Sequence, residues 1–173
     1  MNSSSHELPV IYLKTGELYF SKQPASVITV LGSCLAVTFF HRRTGTGAIC
    51  HGLMPGCRER AGCSSECREP GKYVECAIQW MVNRFRRQQV MLREIEVKVF
   101  GGSDMFDAAR NGKGGISVGK LNITMAMKRI ELEGLHILAI DVGGAQGRKL
   151  FFDTGSGEVL LKRLPPRVIL AER

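Results

Sequence analysis

The sequence predicts a layered α/β (α+β) sandwich, built from a mainly antiparallel sheet and two main helices. Short runs of β-branched and aromatic residues recur along the chain and are separated by turn residues. Two longer segments instead carry apolar residues at helical spacing. With 44% apolar and 23% charged residues, the chain has the composition of a globular protein, and we expect one domain over residues 1–173.

Nine runs are predicted strands, and two pairs of them form hairpins. The turn HRRTGTG separates the fourth run from the fifth, and Thr154–Gly157 separates the last two. In chain order the runs are VIYLK (10–14), ELYFS (17–21), SVITV (26–30), CLAVTFF (34–40), AICHGLM (48–54), EIEVKVF (94–100), LHILAI (135–140), KLFFD (149–153) and EVLLKR (158–163).

The two helices are predicted from apolar stripes and end signals. The first begins near Pro70–Lys72, and the second covers about 122–133 and is closed by Gly134, a residue type favoured just after a helix. A short helical turn is predicted at 104–109, inside a glycine-rich stretch. The stripe of the first helix consists of Tyr73, Val74, Ala77, Ile78, Met81 and Phe85.

Composition and the N-terminus exclude several classes of protein. MNSSSHELPV lacks a basic region followed by an apolar segment, so we expect no signal peptide, and residues 1–7 are predicted to be mobile. No apolar run approaches the roughly 18–20 residues of a membrane helix, which predicts a cytoplasmic protein without membrane insertion. The net charge of +8 favours acidic partners, but no nucleic-acid-binding motif accompanies it, so nucleic acid is not expected as a partner.

Cys34 and His51 are the candidate chemical pair. Cys34 stands directly before one predicted strand and His51 near the end of the next. If the turn is His41–Thr44 and Phe40 pairs with Gly45, antiparallel pairing places Cys34 opposite His51, on the same face. Cβ atoms of such a pair lie about 4.5–5.5 Å apart, whereas a slip of one residue would separate the faces.

A thiol beside an imidazole can act as a nucleophile. An unperturbed thiol is only about 3% ionised at pH 7, and a neighbouring imidazole can take its proton to give a thiolate–imidazolium pair. Backbone N–H groups near Gly32 and Ser33 could then face a developing oxyanion. The alternative is structural, because unpaired cysteines are among the most buried residues of ordinary cores.

Six segments resemble the CheD family of chemoreceptor glutamine deamidases, over roughly residues 17–163. They occur in the family's order, and the LGSC element followed by a histidine before Leu/Met-Pro is the most specific part. The segments are TVLGSCLAV, GAICHGLMPG, GKYVECAI, FGGSDMF, VGKLN and DVGGAQGRKLFFDTGSGEVLLKR.

The resemblance implies a fold, an activity and partners. The fold would be an α/β sandwich similar to glutamine-deamidating toxin domains. Cys34 would be the nucleophile, His51 the base and Thr29 the third member of a Cys–His–Thr site that converts receptor glutamine to glutamate and ammonia without a cofactor. Chemoreceptor cytoplasmic helices would be the substrate, and some members also hydrolyse glutamyl methyl esters. The alternative function is an adaptor that binds a CheC-type phosphatase of phosphorylated CheY.

Other matching residues have two explanations each. Gly101 and Gly102 would either form turns or shape the substrate cleft. Arg148 would either be solvated at a strand edge or meet an acidic receptor surface. Lys120 departs from the family, which commonly has arginine before LN, so bidentate geometry is lost while charge is kept.

Four cysteines raise the question of a metal. Cys57, Cys63, Cys67 and Cys76 form C-x5-C-x3-C-x8-C across a Cys-rich loop (57–70) and the first helix. Four thiolates can hold zinc or an iron–sulfur cluster. The spacing contains no C-x2-C pair, so we expect ordinary reduced thiols in a cytosolic protein and no metal.

Overall fold

The computed structural model describes residues 7–57, 67–104 and 116–165. All nine predicted strands and both predicted helices are present. The predictions for residues 1–6, for Cys63 and most of the Cys-rich loop, and for the helical turn beyond Asp104 lie outside the described residues. The elements are β1 (Val10–Tyr12), β2 (Leu18–Ser21), β3 (Ser26–Leu31), β4 (Leu35–His41), β5 (Thr46–Gly52), α1 (Val74–Arg87), β6 (Glu96–Gly101), α2 (Val118–Leu132), β7 (His136–Val142), β8 (Arg148–Asp153) and β9 (Val159–Arg163).

The strands divide between two sheets, where the sequence predicted one. The first has the order β2-β5-β4-β6-β7 and the second the order β1-β3-β8-β9. Pairing is antiparallel except between β1 and β3 and between β6 and β7, which confirms a mainly antiparallel architecture. Residues Leu35–His41 of β4 are all buried, so both faces of this central strand need a covering layer.

Two apolar cores hold three layers together. One core lies between the five-stranded sheet and the helices and includes Phe39 and Phe85; the other lies between the two sheets and includes Ala36 and Phe152. The layered α+β class predicted from the sequence is therefore confirmed. Neither helix in the described part of the chain is long and apolar enough to cross a membrane.

The hairpin of β4 and β5 has a different register from the predicted one. His51 pairs with Ala36, not with Cys34, and His41 pairs with Thr46. The turn moves one residue along the chain because Gly45 adopts a left-handed conformation (φ 59°) that ends it. A shift of two residues leaves the face of a strand residue unchanged. Cys34 lies in the bend just before β4 and packs against the same core between the sheets as Ala36, the partner of His51.

Helix α2 begins four residues earlier than predicted. Ser117 caps it by accepting a hydrogen bond from the Lys120 backbone N–H. Gly119, in the first turn, packs on Gly102: a Cβ at Gly119 would lie 2.5 Å from the Gly102 carbonyl oxygen. Gly134 follows the helix with φ 67°, as predicted for its C-terminal end. The start of α2 thus lies against the segment that follows β6.

Candidate active site

A hydrogen bond between the two sheets fixes the imidazole of His51. Thr29 Oγ1, on β3, donates to the carbonyl oxygen of Leu13 at 2.8 Å and lies 2.7 Å from His51 Nδ1. A hydroxyl has a single proton and a carbonyl oxygen can only accept, so Thr29 must accept from His51. The proton therefore resides on Nδ1, and Nε2 carries the lone pair of a base.

The other ring nitrogen faces Thr15, a residue that sequence reasoning missed. Thr15 Oγ1 lies 3.4 Å from His51 Nε2. The backbone brings them together, because Gly16 N–H donates to the His51 carbonyl and His51 N–H donates to the Glu17 carbonyl. The only signal in the sequence was the Thr-Gly turn itself, and its pairing with β5 could not be read from it.

Cys34 ends a tight turn that connects the two sheets. It is partly exposed and packs against the core between the sheets. Its carbonyl oxygen accepts from Gly102 N–H, and the Gly32 carbonyl accepts from Ser103 N–H, both at 2.8 Å. The predicted residues Gly32, Ser33, Gly101 and Gly102 thus lie around one turn.

Gly101 fits under this turn only because it lacks a side chain. Its φ is +110°, and a Cβ would lie 2.4 Å from the Cys34 carbonyl oxygen. Gly102 also has a positive φ and would meet Ile123 of α2. Both glycines shape the turn that carries Cys34.

No hydrogen bond joins Cys34 to His51 in the part of the chain that the structure describes. Diagonal neighbours in a regular antiparallel pair lie about 7–8 Å apart, and long or absent catalytic hydrogen bonds are common before substrate binds. Cys34 immediately precedes β4 and packs against the core between the sheets, which includes Ala36, the strand partner of His51. Cys34 and His51 are therefore close neighbours that are not hydrogen-bonded to each other.

Burial keeps both groups neutral. Burial raises the pKa of the Cys34 thiol above its ordinary 9.0, and a hydrogen bond from its own backbone amide offsets only part of this. Burial lowers the pKa of His51 below its ordinary 6.5, against smaller opposing effects of the Leu13 carbonyl and the Glu17 charge. The pair at pH 7 is therefore thiol and imidazole, which differs from the thiolate–imidazolium pair expected from the sequence.

Arg148 is buried, and both expectations for it were wrong. Only 1% of it is exposed, because the guanidinium is surrounded by acceptors within the protein. It donates to Asp141 Oδ1 at 2.6 Å, to Ser103 Oγ at 2.6 Å and to the Gly143 carbonyl at 2.7 Å. Gly143 N–H in turn donates to the carbonyl of Gly101, the glycine that packs against the Cys34 carbonyl. Arg148 therefore stabilises Gly101 through Gly143.

Among residues 7–57, 67–104 and 116–165, no three or more His, Cys, Asp or Glu side chains lie together in a way that could hold a metal ion. Cys57 and Cys67 are partly buried, and Cys76 is buried in α1. Cys63 lies outside those ranges, so the four-cysteine hypothesis stays untested. Burial raises the pKa of Cys50 to about 12, which makes this neighbour of His51 an inert thiol.

A cavity of about 480 Å³ is lined by Thr15, the residue whose hydroxyl lies near His51. Leu53 and the charged residues Arg68, Glu69 and Lys72 also line it. Lys72 also pairs with Glu69 at 3.3 Å. Thr15 is thus shared by the wall of the cavity and the surroundings of His51.

The fold and the site define a class of protein. It is a layered α+β protein in which a buried histidine, fixed by a threonine hydroxyl, lies near a cysteine on a glycine-supported turn. Residues 57–163 match the family model described as CheD chemotactic sensory transduction. The chain belongs to the CheD family.

Curated relatives agree over almost the whole chain. A Geobacter sulfurreducens protein named "Probable chemoreceptor glutamine deamidase CheD 2" is 44% identical over 165 residues, which cover 95% of this chain and 96% of the relative. "Probable chemoreceptor glutamine deamidase CheD" of Maridesulfovibrio salexigens is 34% identical, with 95% and 97% coverage. A crystal structure of Neisseria meningitidis protein NMB0706, of family DUF152, aligns with 80% of this chain and 63% of its own at 17% identity, and its TM-score of 0.40 is too low for any inference.

Proposed function

We propose that this protein is a protein-glutamine deamidase that converts glutamine side chains of chemoreceptors to glutamate and releases ammonia. The observation that carries the proposal is His51, buried and held by Thr29 as the tautomer with its proton on Nδ1, so that Nε2 is the basic nitrogen. Cys34 packs against the same core between the sheets as Ala36, the strand partner of His51. The names of the relatives, probable chemoreceptor glutamine deamidases, supply the substrate.

In the first half of the reaction, Cys34 Sγ attacks the carboxamide carbon while His51 Nε2 takes the thiol proton. Because both groups are neutral at rest, the proton moves during the attack, and His51 acts as a general base. The oxyanion accepts hydrogen bonds from the backbone N–H groups of Ser33 and Cys34. Gly102 N–H is already bonded to the Cys34 carbonyl, so Gly101 and Gly102 act by shaping the turn.

In the second half, the protonated His51 gives its proton to the departing nitrogen, and the C–N bond breaks to leave a thioester on Cys34. His51 Nε2 then removes a proton from water, which attacks the thioester carbon. The C–S bond breaks, the glutamate side chain leaves and the thiol regains its proton. Thr29 holds the same ring nitrogen throughout, and no step needs a metal or a cofactor.

The substrate helices belong to the cytoplasmic part of chemoreceptors, so we place the protein in the cytoplasm. A net charge of +8 favours their acidic surfaces. The cavity lined by Thr15, Arg68 and Lys72 supports docking of a receptor segment near His51. Neither membrane insertion nor nucleic acid binding is part of the proposal.

Two finer proposals follow from the family. The same acyl chemistry would hydrolyse a glutamyl methyl ester, with methanol leaving instead of ammonia. A CheC-type phosphatase would be a second partner. Between enzyme and adaptor, the fixed tautomer of His51 favours the enzyme, since an adaptor needs no base held in one tautomer.

The test is peptide mass spectrometry on a receptor cytoplasmic fragment incubated with wild-type protein, Cys34→Ala and Cys57→Ala. We expect the mass change of an amide converted to an acid on particular glutamines with the wild type and with Cys57→Ala, and none with Cys34→Ala. Deamidation by Cys34→Ala would remove the nucleophile from the proposal. Absence of any change with folded wild type, together with CheC binding, would support the adaptor.

A further inference from the structure

Asn122 links the two segments that carry the candidate catalytic pair. It lies in the second turn of α2 and is fully buried. Its side-chain Nδ2 donates to the Ser33 carbonyl at 3.0 Å and to the Leu53 carbonyl at 3.1 Å. Ser33 immediately precedes Cys34, and Leu53 follows His51 by two residues, so one amide group bridges both segments.

The orientation of this amide is fixed by its partners. Both acceptors are carbonyl oxygens, so the NH₂ group and not the oxygen must face them. Asn122 Oδ1 consequently points away and has no hydrogen-bond partner in the described part of the chain. An unpaired buried oxygen is unfavourable for stability, which indicates that the bridge serves something other than packing.

The element that carries Asn122 is held rigidly against the site. One turn earlier, Gly119 lies against the Gly102 carbonyl, and Gly102 N–H donates to the Cys34 carbonyl. The next residue, Ile123, also packs on Gly102: a Cβ at Gly102 would lie 2.6 Å from Ile123 Cγ1. Helix α2 therefore presents Asn122 from a fixed position to Ser33 and Leu53, which lie just beyond the last β4–β5 pair, Leu35 with Gly52.

We propose that Asn122 is a positioning residue that fixes the distance between the Cys34 turn and the end of β5. This inference rests on the proposed function, because the distance matters when a proton passes from Cys34 to His51. Misplacement of reacting groups by about 1 Å can cost roughly 100-fold in rate. Asn122 touches neither the substrate nor the reacting atoms.

The test compares three substitutions that remove the bridge in different ways. Asn122→Leu keeps the volume and removes both hydrogen bonds, Asn122→Asp places an oxygen against the two carbonyls, and Asn122→Ser shortens the donor. We expect kcat for receptor deamidation to fall about 10- to 100-fold with Leu and Asp, with KM changed less than about twofold, because the docking surface is intact. Asn122→Ser is the least disruptive of the three substitutions, so its kcat decides whether Asn122 has a positioning role if the Leu and Asp variants fail to fold.

A second readout does not depend on deamidation. Iodoacetamide alkylation of Cys34, followed by mass spectrometry, reports whether His51 can take the thiol proton, and buried Cys50 serves as an unlabelled internal reference. We expect the rate at pH 7 to fall several-fold in the Asn122 variants and to approach the wild-type rate at high pH, where hydroxide ionises the thiol. This readout remains informative if wild-type protein deamidates no receptor, an outcome that would count against the proposed function alone.

Ile130→Ala is the matched control. Ile130 is buried in the same helix two turns further from the site, so its truncation destabilises α2 without touching the bridge. At comparable loss of thermal stability, Ile130→Ala should retain the wild-type kcat and alkylation profile. If the folded Asn122 variants match Ile130→Ala in both readouts, the positioning role is overturned.

Discussion

Thr29 and His51 belong to different sheets, and the 2.7 Å hydrogen bond between them joins the two layers at the site. Thr29 is committed as a donor to the Leu13 carbonyl, so its lone pair selects the tautomer of the imidazole. The three groups form a relay in which a backbone carbonyl orients a hydroxyl and the hydroxyl orients a base. Thr29, an uncharged strand residue, thus fixes the orientation and tautomer of the imidazole, a role that a carboxylate has in other histidine sites.

Replacing Thr29 tests this relay. Thr29→Val keeps the β-branched shape but leaves His51 Nδ1–H and the Leu13 carbonyl without their partner, so we expect kcat to fall about 10- to 100-fold and the free energy of unfolding to fall by about 1–3 kcal/mol. Thr29→Ser restores the hydroxyl and should recover most of both. Nitrogen NMR of the His51 ring would report its tautomer. An unchanged Nδ1–H tautomer in Thr29→Val would contradict the claim that Thr29 selects it.

The pH dependence of activity follows from the two pKa directions. Because burial lowers the pKa of His51 below 6.5, the acid limb of kcat/KM should have its midpoint below pH 6.5. Because the pKa of Cys34 is raised above 9.0, thiolate absorbance should be missing at pH 7 when wild type is compared with Cys34→Ala. A preformed thiolate at pH 7 would show that a thiolate–imidazolium pair exists after all.

The same shift affects stability. The unfolded chain binds a proton at His51 more readily than the folded chain, so the free energy of unfolding should decrease as pH falls from 6.5 through the folded pKa. His51→Gln removes this part of the slope. Urea unfolding of wild type and His51→Gln at a series of pH values isolates the contribution of His51 from that of other titrating groups. If the free energies of unfolding of the two proteins change with pH in parallel, the pKa of His51 is the same in the folded and unfolded states.

Gly101 should tolerate no side chain. In Gly101→Ala the methyl group would meet the Cys34 carbonyl, and φ would stay positive, so we expect a loss of more than about 3 kcal/mol in the free energy of unfolding and loss of deamidation. Gly45→Ala is the matched control, since Gly45 has φ +59° but nothing within 4 Å of its Cβ position. It should lose about 1–2 kcal/mol and keep its activity. Equal losses in the two variants would show that steric contact with Cys34 is unimportant.

Arg148 can be compared with a surface arginine that shares its partner. Arg148→Met removes the hydrogen bonds to Ser103 and Gly143 and should lower the free energy of unfolding by about 3 kcal/mol. Arg163, which is about half exposed, pairs with the other oxygen of Asp141, and Arg163→Met should lose less than about 1 kcal/mol. Urea unfolding of both variants checks this difference. A larger loss for Arg163→Met than for Arg148→Met would contradict the stabilising role of the buried arginine.

Local pattern in the sequence determined the elements and the candidate pair. Periods of two and of 3.6 residues, with turn residues between them, placed every strand and both helices to within a few residues. The pairing of β4 with β5 was predicted two residues out of register. A shift of two residues does not reverse the face of a strand residue, because side chains alternate with period two, and Cys34 still packs against the core that includes Ala36, the partner of His51.

Only the tertiary structure decided what surrounds that pair. The division into two sheets, the tautomer of His51, the approach of Thr15 and the burial of Arg148 all depend on contacts between segments distant along the chain. Periodicity states which face of a strand is apolar, but it does not state which layer covers that face. An arginine or a threonine is therefore indistinguishable from a surface residue until the covering layer supplies its partners.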